Sequence, residues 1–479
     1  MAASKSSSSQ RLAWIEGIRI FAVVMILLYH AQLLFTHYAF TPQPTGITDN
    51  LELIAAASDR LGQSLLLRMI SFPIWFGFQF FDVFILISGF SLVLSLKGKA
   101  LELSQFFKRR FLRILLPVWT VAWLGYPILW AIGIATKTYT PNLWHSFVGV
   151  TFPPLLTFDG KLLLPTMGPW WFLPLIISFT LVFPFLWHLR QRWGARNLLL
   201  VSLLLTIGYR ALAVYQFDGH PTYSLVDTPA SWLPFVSFMS HLSTFVLGMV
   251  VAEAYRDGRG PVFWRPHKAL LLGVLIYSLG FVNQFYQLGW VVSDLLLPAG
   301  LTLCCMVIFR RLAQFRWLKL VIIGLGIHSY SYFLIHNFVI DRTIHLIIKG
   351  DPSLYYLLLP CMVLGTLILA VIADYTAPSL QRLGMVVIRD LDYVLTQSPT
   401  PYLRTWTPVV GDRVCYQGEH DWKILKVEQL LDDDESYICQ VSNGYKVIWL
   451  SESELEPDSI NSQVDRNGHV RPNSSSLRS

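Results

Sequence analysis

Apolar residues fill the first three-quarters of the chain in long, nearly unbroken stretches, unlike the alternating or one-faced patterns of soluble domains. A helix that crosses a bilayer needs about 20 mainly apolar residues. Ten stretches meet that requirement, at 14–38, 71–96, 111–134, 169–189, 197–215, 232–254, 268–286, 289–309, 318–341 and 354–376. Asn283, Gln284 and Asp294 interrupt the seventh and eighth. Beyond Gly411 the pattern shortens to alternation over Asp412–Gln417, Trp422–Leu430, Tyr437–Val441 and Tyr445–Leu450. Gly418 and Asn443-Gly444 supply turn chemistry there, the latter a hairpin signal. The expected fold class is an all-α polytopic membrane protein of about ten transmembrane helices, followed by a small C-terminal SH3-like β-barrel. The expected organisation is a polar N-terminal segment (1–13), a transmembrane domain (14–376), a linker (377–408), the β domain (409–456) and a disordered Ser/Asn-rich tail (457–479).

Charge sharpens this division. Asp, Glu, Lys and Arg make up 11% of residues 1–376 and 24% of residues 377–479. Only the second value resembles a soluble domain, which carries about 25%. The net charge of +7 does not point to nucleic acid, because the basic residues fall in short clusters between apolar runs. With the N-terminus inside, nineteen of them lie in cytosolic segments against seven on or near the other side. Both termini are then cytosolic. The apolar run from Trp14 to Phe40 is too long for a signal-peptide core, so it reads as an uncleaved first span. Two outer loops are long: 39–70, whose Leu51–Leu67 stretch suits a helix lying on or dipping into the membrane, and the Pro/Gly-rich 135–168. The five cysteines show no metal-ligand or disulfide spacing.

Ionisable residues inside spans are costly and point to function. Glu16, Arg19 and His30 lie in the first span, Asp82 in the second, His241 and Glu253 in the sixth, His328 and His336 in the ninth, and Asp374 ends the tenth. Glu253 and Asp374 read as helix-end groups, and His241, between Ser240 and Ser243, as a hydrogen-bonded interhelical histidine. At a rise of about 1.5 Å per residue, His30, Asp82 and His336 stand about 24, 22 and 25 Å above the cytosolic border. Ser88 and Arg19 fall near about 14 and 8 Å. A histidine with a carboxylate partner can take a proton from a hydroxyl, a task that suits His30 with Asp82. The cluster Lys108-Arg109-Arg110…Arg113 opens the third span, where it sets topology or clamps phosphates.

Arg11-Leu-Ala-Trp-Ile-Glu16-Gly17-Ile-Arg19, with His30 eleven positions on, resembles the opening of the acyltransferase 3 family of integral-membrane O-acyltransferases. Phe80-Phe81-Asp82-Val-Phe84-Ile-Leu-Ile-Ser88-Gly89-Phe90 is similar to its acidic, aromatic, Ser-Gly-Phe motif. Arg110-Phe-Leu-Arg113, Trp170-Trp171-Phe172-Leu173, Phe245-Val-Leu-Gly248-Met249 and Ser329-Tyr330-Ser-Tyr332-Phe-Leu-Ile-His336 follow in the family's order. The chain departs from many members after the Trp pair, where Pro174-Leu-Ile-Ile177 stands in place of an acidic residue.

The resemblance implies transfer of an acyl group, usually acetyl, from cytosolic acyl-CoA to a hydroxyl of an extracytoplasmic carbohydrate or glycolipid. It implies His30 as catalytic base, with Asp82 as its expected partner. Arg19, Arg110, Arg113 and Ser88 are implied to hold acyl-CoA, and Trp171 and His336 the acceptor. Acyl-CoA (acetyl-CoA) is a donor substrate, not a bound cofactor, and no metal is required. The remaining expected partners are the lipid bilayer of the inner membrane and an unknown cytosolic partner of the β domain. The competing expectation is a secondary transporter coupling protons through buried His and Asp; the absence of an internal repeat in the sequence weakens it.

Overall fold

A computed structural model describes residues 12–96, 101–137, 169–221, 234–396, 409–416, 419–429, 437–451, 455–457, 462–464 and 470–472. It divides into two compact units, Met1–Met385 and Val386–Ser479. The described residues of the first form helices joined by short connections, as a chain in lipid requires, because a helix pairs its own backbone polar groups where no water can. Its elements are α1 (Ala13–Phe35), α2 (Ile47–Arg60), α3 (Leu65–Ser71), α4 (Phe80–Leu96), α5 (Leu103–Thr136), α6 (Phe172–Tyr215), α7 (Leu242–Arg256), α8 (Pro266–Asn283), α9 (Gly289–Leu312), α10 (Arg316–Gly326), α11 (Ser329–Thr343) and α12 (Pro352–Thr396). Short 3₁₀ turns lead into α4 (Phe72–Gln79) and α7 (Phe238–His241).

Seven helical stretches among the described residues are long and apolar enough to cross a bilayer, or eight if α10 and the following Ser329–Ile348 form one span bent by 63°. The expected spans 169–189 and 197–215 fall on the two helical halves of α6, which meet at Gly194, where the backbone leaves helical geometry altogether (φ 79°, ψ 163°). The expected 268–286 span is the helix α8, but α8 is not among the seven. α8 packs closely along α9, where Gly273 and Gly280 face Cys304 and Leu297, and Gly300 faces Tyr277. In the 39–70 loop two helices, α2 and α3, replace the single expected one; Ser64 caps α3 through the Leu67 amide. The expected 135–168 loop lies mostly outside the described residues. α12 continues to Thr396, so the first part of the expected linker is helix.

Glycine contacts set how closely these helices approach. A Cβ on Gly89 would sit 2.2 Å from the Phe245 carbonyl oxygen, and one on Gly248 would sit 2.0 Å from that of Leu86. α4 and α7 therefore meet backbone to backbone, as small-residue interfaces in membranes allow. Gly326 at the end of α10 lies on Glu16 of α1, where a Cβ would be 2.5 Å from the Glu16 Cβ. α1 is buried along most of its length and packs against α4, α9, α10 and α11.

The second unit holds an antiparallel sheet of order β4-β3-β2-β1-β5, with β1 Arg413–Tyr416, β2 Glu419–Gln429, β3 Tyr437–Ser442, β4 Val447–Ser451 and the two-residue β5 Glu456–Pro457. Val414, Trp422, Ile424, Cys439, Val441, Leu450 and Leu455 form its core. Among the described residues the sheet is open, with β4 and β5 as edges, and does not close as the expected SH3-like barrel would. The tail expected to be disordered contains a small hairpin, β6 (Ser462–Val464) paired with β7 (Val470–Pro472).

Gly248→Val should lower the stability of the detergent-purified protein by about 1–3 kcal/mol or more, the cost of overpacking a tight contact. Gly324→Ala, where an added Cβ meets nothing within 4 Å, should not. Thermal unfolding followed by size-exclusion chromatography would read both; equal melting temperatures for Gly248→Val and the native chain would contradict the close crossing.

Candidate functional site

His30 projects from α1 and meets His336 of α11, with His30 Nδ1 and His336 Nε2 3.1 Å apart. The His336 Nδ1 lies 2.5 Å from the Phe333 carbonyl, which can only accept, so Nδ1 carries the proton there. In the neutral ring the His336 Nε2 then has the lone pair and accepts from His30 Nδ1–H. The His30 Nε2 is left with a free lone pair. A carbonyl at one end of the chain thus sets the tautomer of the histidine at the other. His336 is 1% exposed, and its ring meets that of His30. His30 itself is half-buried.

Aromatic rings wall this pair. Phe81 of α4 lies 6.2 Å from His30, 5.2 Å from Trp171 and 5.9 Å from Phe333, centroid to centroid. Trp170 donates to the Leu334 carbonyl at 3.0 Å, tying the Trp pair to α11. The expected Trp171 therefore stands beside the same wall as His30, half-buried.

Ser88 and Ser91 lie one turn apart on α4, and each meets an arginine. Arg110 of α5 donates from Nη2 to Ser88 Oγ at 2.8 Å, and from Nε to Thr180 at 3.4 Å. Arg19 donates from Nη2 to Ser91 Oγ at 3.0 Å and pairs with Glu16 at 3.1 Å. Arg113 is exposed; it and Arg19 both act electrostatically on Arg110, as does Tyr330. The four residues expected to hold the donor thus converge. Three guanidiniums with Glu16 as their paired carboxylate leave excess positive charge, which suits a phosphate-bearing ligand.

Asp82 does not pair with His30. Its carboxylate meets His241, Oδ1 to Nδ1 at 2.6 Å, because the start of α4 lies against the 3₁₀ turn that opens α7. The His241 Nε2 lies 2.8 Å from the Phe235 carbonyl and must donate to it. Nδ1 and the carboxylate can then meet so closely only with a proton between them. Helix spacing put Asp82 and His30 at similar depth, but depth says nothing about azimuth.

Several partners were missed from sequence. Fully buried Arg210 bonds Asp294 at 2.7 Å and the Trp290 carbonyl at 2.6 Å, and its guanidinium lies 4.9 Å from the centre of the Phe235 ring. The only signal was opposite charge in two spans. Glu253 pairs with Arg190 at 2.5 Å, and Asp374 with His328 at 2.6 Å, so neither is a simple helix-end group.

Double-mutant cycles on thermal stability should show coupling of about 0.5–3 kcal/mol for Asp82/His241 and for His30/His336. Asp82/His30 should be additive; strong coupling there would restore the expected pair.

A family model described as an acyltransferase domain matches residues 12–375. No curated protein and no solved structure matches the chain significantly. The matched region contains the motifs quoted for the resemblance, Arg11 excepted, and runs from the start of α1 into α12. On that extent of match, the chain belongs to the acyltransferase 3 family.

Proposed function

We propose that this membrane acyltransferase moves an acyl group, acetyl in the first instance, from cytosolic acyl-CoA to a hydroxyl of an extracytoplasmic carbohydrate or glycolipid. The observation that supports the reading is the Phe333–His336–His30 hydrogen-bond chain, together with the two arginines that meet Ser88 and Ser91 on α4. Ten crossings, with α6 counted as two spans and α8 as one, put both termini on one side, and the bias of basic residues favours the cytosol. The localisation that follows is the inner membrane.

Arg110, Arg113 and Arg19 hold the CoA phosphates, and the pantetheine arm runs along α4 past Ser88 towards His30. The acceptor hydroxyl approaches His30 beside Trp171. His30 Nε2 takes its proton while the oxygen attacks the thioester carbon. The tetrahedral oxyanion then collapses, the carbon–sulfur bond breaks, and the CoA thiolate takes the proton back from His30. Protons balance without an outside donor. His336 holds the ring and its tautomer but brings no negative charge. The imidazolium is therefore a stronger acid than one paired with a carboxylate, which favours return of the proton to sulfur.

In proteoliposomes given acetyl-CoA labelled in its acetyl group, with candidate glycans or glycolipids as acceptors, His30→Ala should lower transfer by about 100-fold or more. Full transfer by that variant would remove His30 as the base. Arg110→Ala should chiefly raise the KM for acyl-CoA, since it holds the donor without doing chemistry. A rise confined to the acceptor KM would contradict its placement. His336→Gln, which keeps an acceptor for His30, should retain more activity than His336→Leu.

A further inference from the structure

α11 carries His336 and α5 carries Arg110, and the first turn of α11 reaches α5. There Tyr330 donates from its hydroxyl to the Ile114 carbonyl of α5 at 3.1 Å. Ile114 stands four residues beyond Arg110, about one turn on along the same side of the helix. Pro117 follows inside α5, and with no N–H it leaves the Arg113 carbonyl without a helical donor. This turn of α5 therefore has less internal hydrogen bonding than its neighbours, and a bond from outside stiffens it. Tyr330 also lies within electrostatic range of Arg110 itself.

The same turn of α11 is held from a second direction. His328, at its N-cap, and Ser331 both donate to Asp374 of α12, through Nδ1 at 2.6 Å and Oγ at 2.5 Å. A carboxylate at that helix end also suits the positive end of the α11 dipole. Tyr330 is thus fixed between α12 and α5, and it shares one helix with His336, six residues or about 9 Å further on. Arg110 tethers α5 as well, through Ser88 of α4 and Thr180 of α6. Those bonds use the guanidinium that a phosphate would take, so a ligand competes for them. The Tyr330 bond uses a main-chain carbonyl and is spared that competition.

We propose that Tyr330 is a positioning residue for acyl transfer: its bond to Ile114 sets the spacing between the Arg110 end of the donor site and the His30–His336 pair. This rests on the reading above, in which Arg110 holds acyl-CoA and His30 is the base. A donor gripped by its phosphates presents its thioester to His30 only while α5 and α11 keep that spacing. The Tyr330 hydroxyl itself does no chemistry. Its effect is therefore confined to donors that the arginine grips, and it falls on the chemical step more than on donor affinity.

Tyr330→Phe removes the hydroxyl and keeps the ring. In proteoliposomes given acetyl-CoA, with a lipid and glycan extract of the native membrane as acceptor, its kcat should fall about tenfold while the acetyl-CoA KM stays within about twofold of the native value. With S-acetylpantetheine, which lacks the nucleotide and every phosphate, kcat/KM should stay within about twofold, because an untethered donor follows the histidines. Tyr332→Phe is the control, since Tyr332 donates to the Val363 carbonyl of α12 at 3.3 Å, an equivalent bond directed away from α5. It should not separate the two donors. A native kcat in Tyr330→Phe overturns the proposal, as does an equal loss with both donors or a Tyr332→Phe variant that discriminates as strongly. The underlying reading is judged apart: His30→Ala should lose transfer from both donors, and Arg110→Ala from acetyl-CoA alone. If those two hold while Tyr330→Phe behaves as native, only the positioning role fails.

Discussion

The backbone contact between α4 and α7 at Gly89 and Gly248 constrains everything α4 touches, because neither position has room for a Cβ. With α7 pressed against one side, the rest of the α4 surface serves three other neighbours. Phe81 lies between the His30 ring and Trp171, and Ser88 and Ser91 reach arginines from α5 and α1. Asp82, next to Phe81, is held by His241 from the same side as the glycine contact. A shift of α4 by one residue would move the aromatic wall, the hydroxyls and the carboxylate together. Catalytic geometry tolerates little such movement.

Charge in this structure is arranged by neutralisation wherever it is buried. Arg210 with Asp294 and Arg190 with Glu253 each bring a cation to a carboxylate inside helical segments, and Asp82 shares a proton with His241. Unpaired charge there would be costly. Positive charge is left in excess where Arg19, Arg110 and Arg113 gather around the Ser88–Ser91 face.

The two histidine pairs show how different environments give the same side chain different work. His241 lies between a carboxylate and a carbonyl, and both of its nitrogens are engaged in holding α4. His30 Nδ1 meets a histidine whose own tautomer is set by Phe333. One ring is locked and the other keeps a lone pair.

The amino-acid sequence by itself determined that the first unit is a set of apolar helices, since a run of about 20 apolar residues has few other stable states in lipid. It also marked His30, the residues Ser88, Arg19, Arg110 and Arg113, of which Arg110 meets Ser88 and Arg19 meets Ser91 one turn on, and the change to short strands after Gly411. Rise per residue gave depth along each helix. Which helix faces which was not legible, because spans that are apolar on every side carry no moment to orient them. Tertiary structure therefore decided that Asp82 turns to His241 and not to His30, that His336 supports His30, and that Arg210 finds Asp294. It also decided that Gly194 parts the two halves of α6, and that α10 and the helix after it meet at 63°. Those outcomes depend on steric fit between helices, where a missing Cβ at Gly89, Gly248 or Gly326 sets the distance of approach, and such fit exists only once the partners are in place.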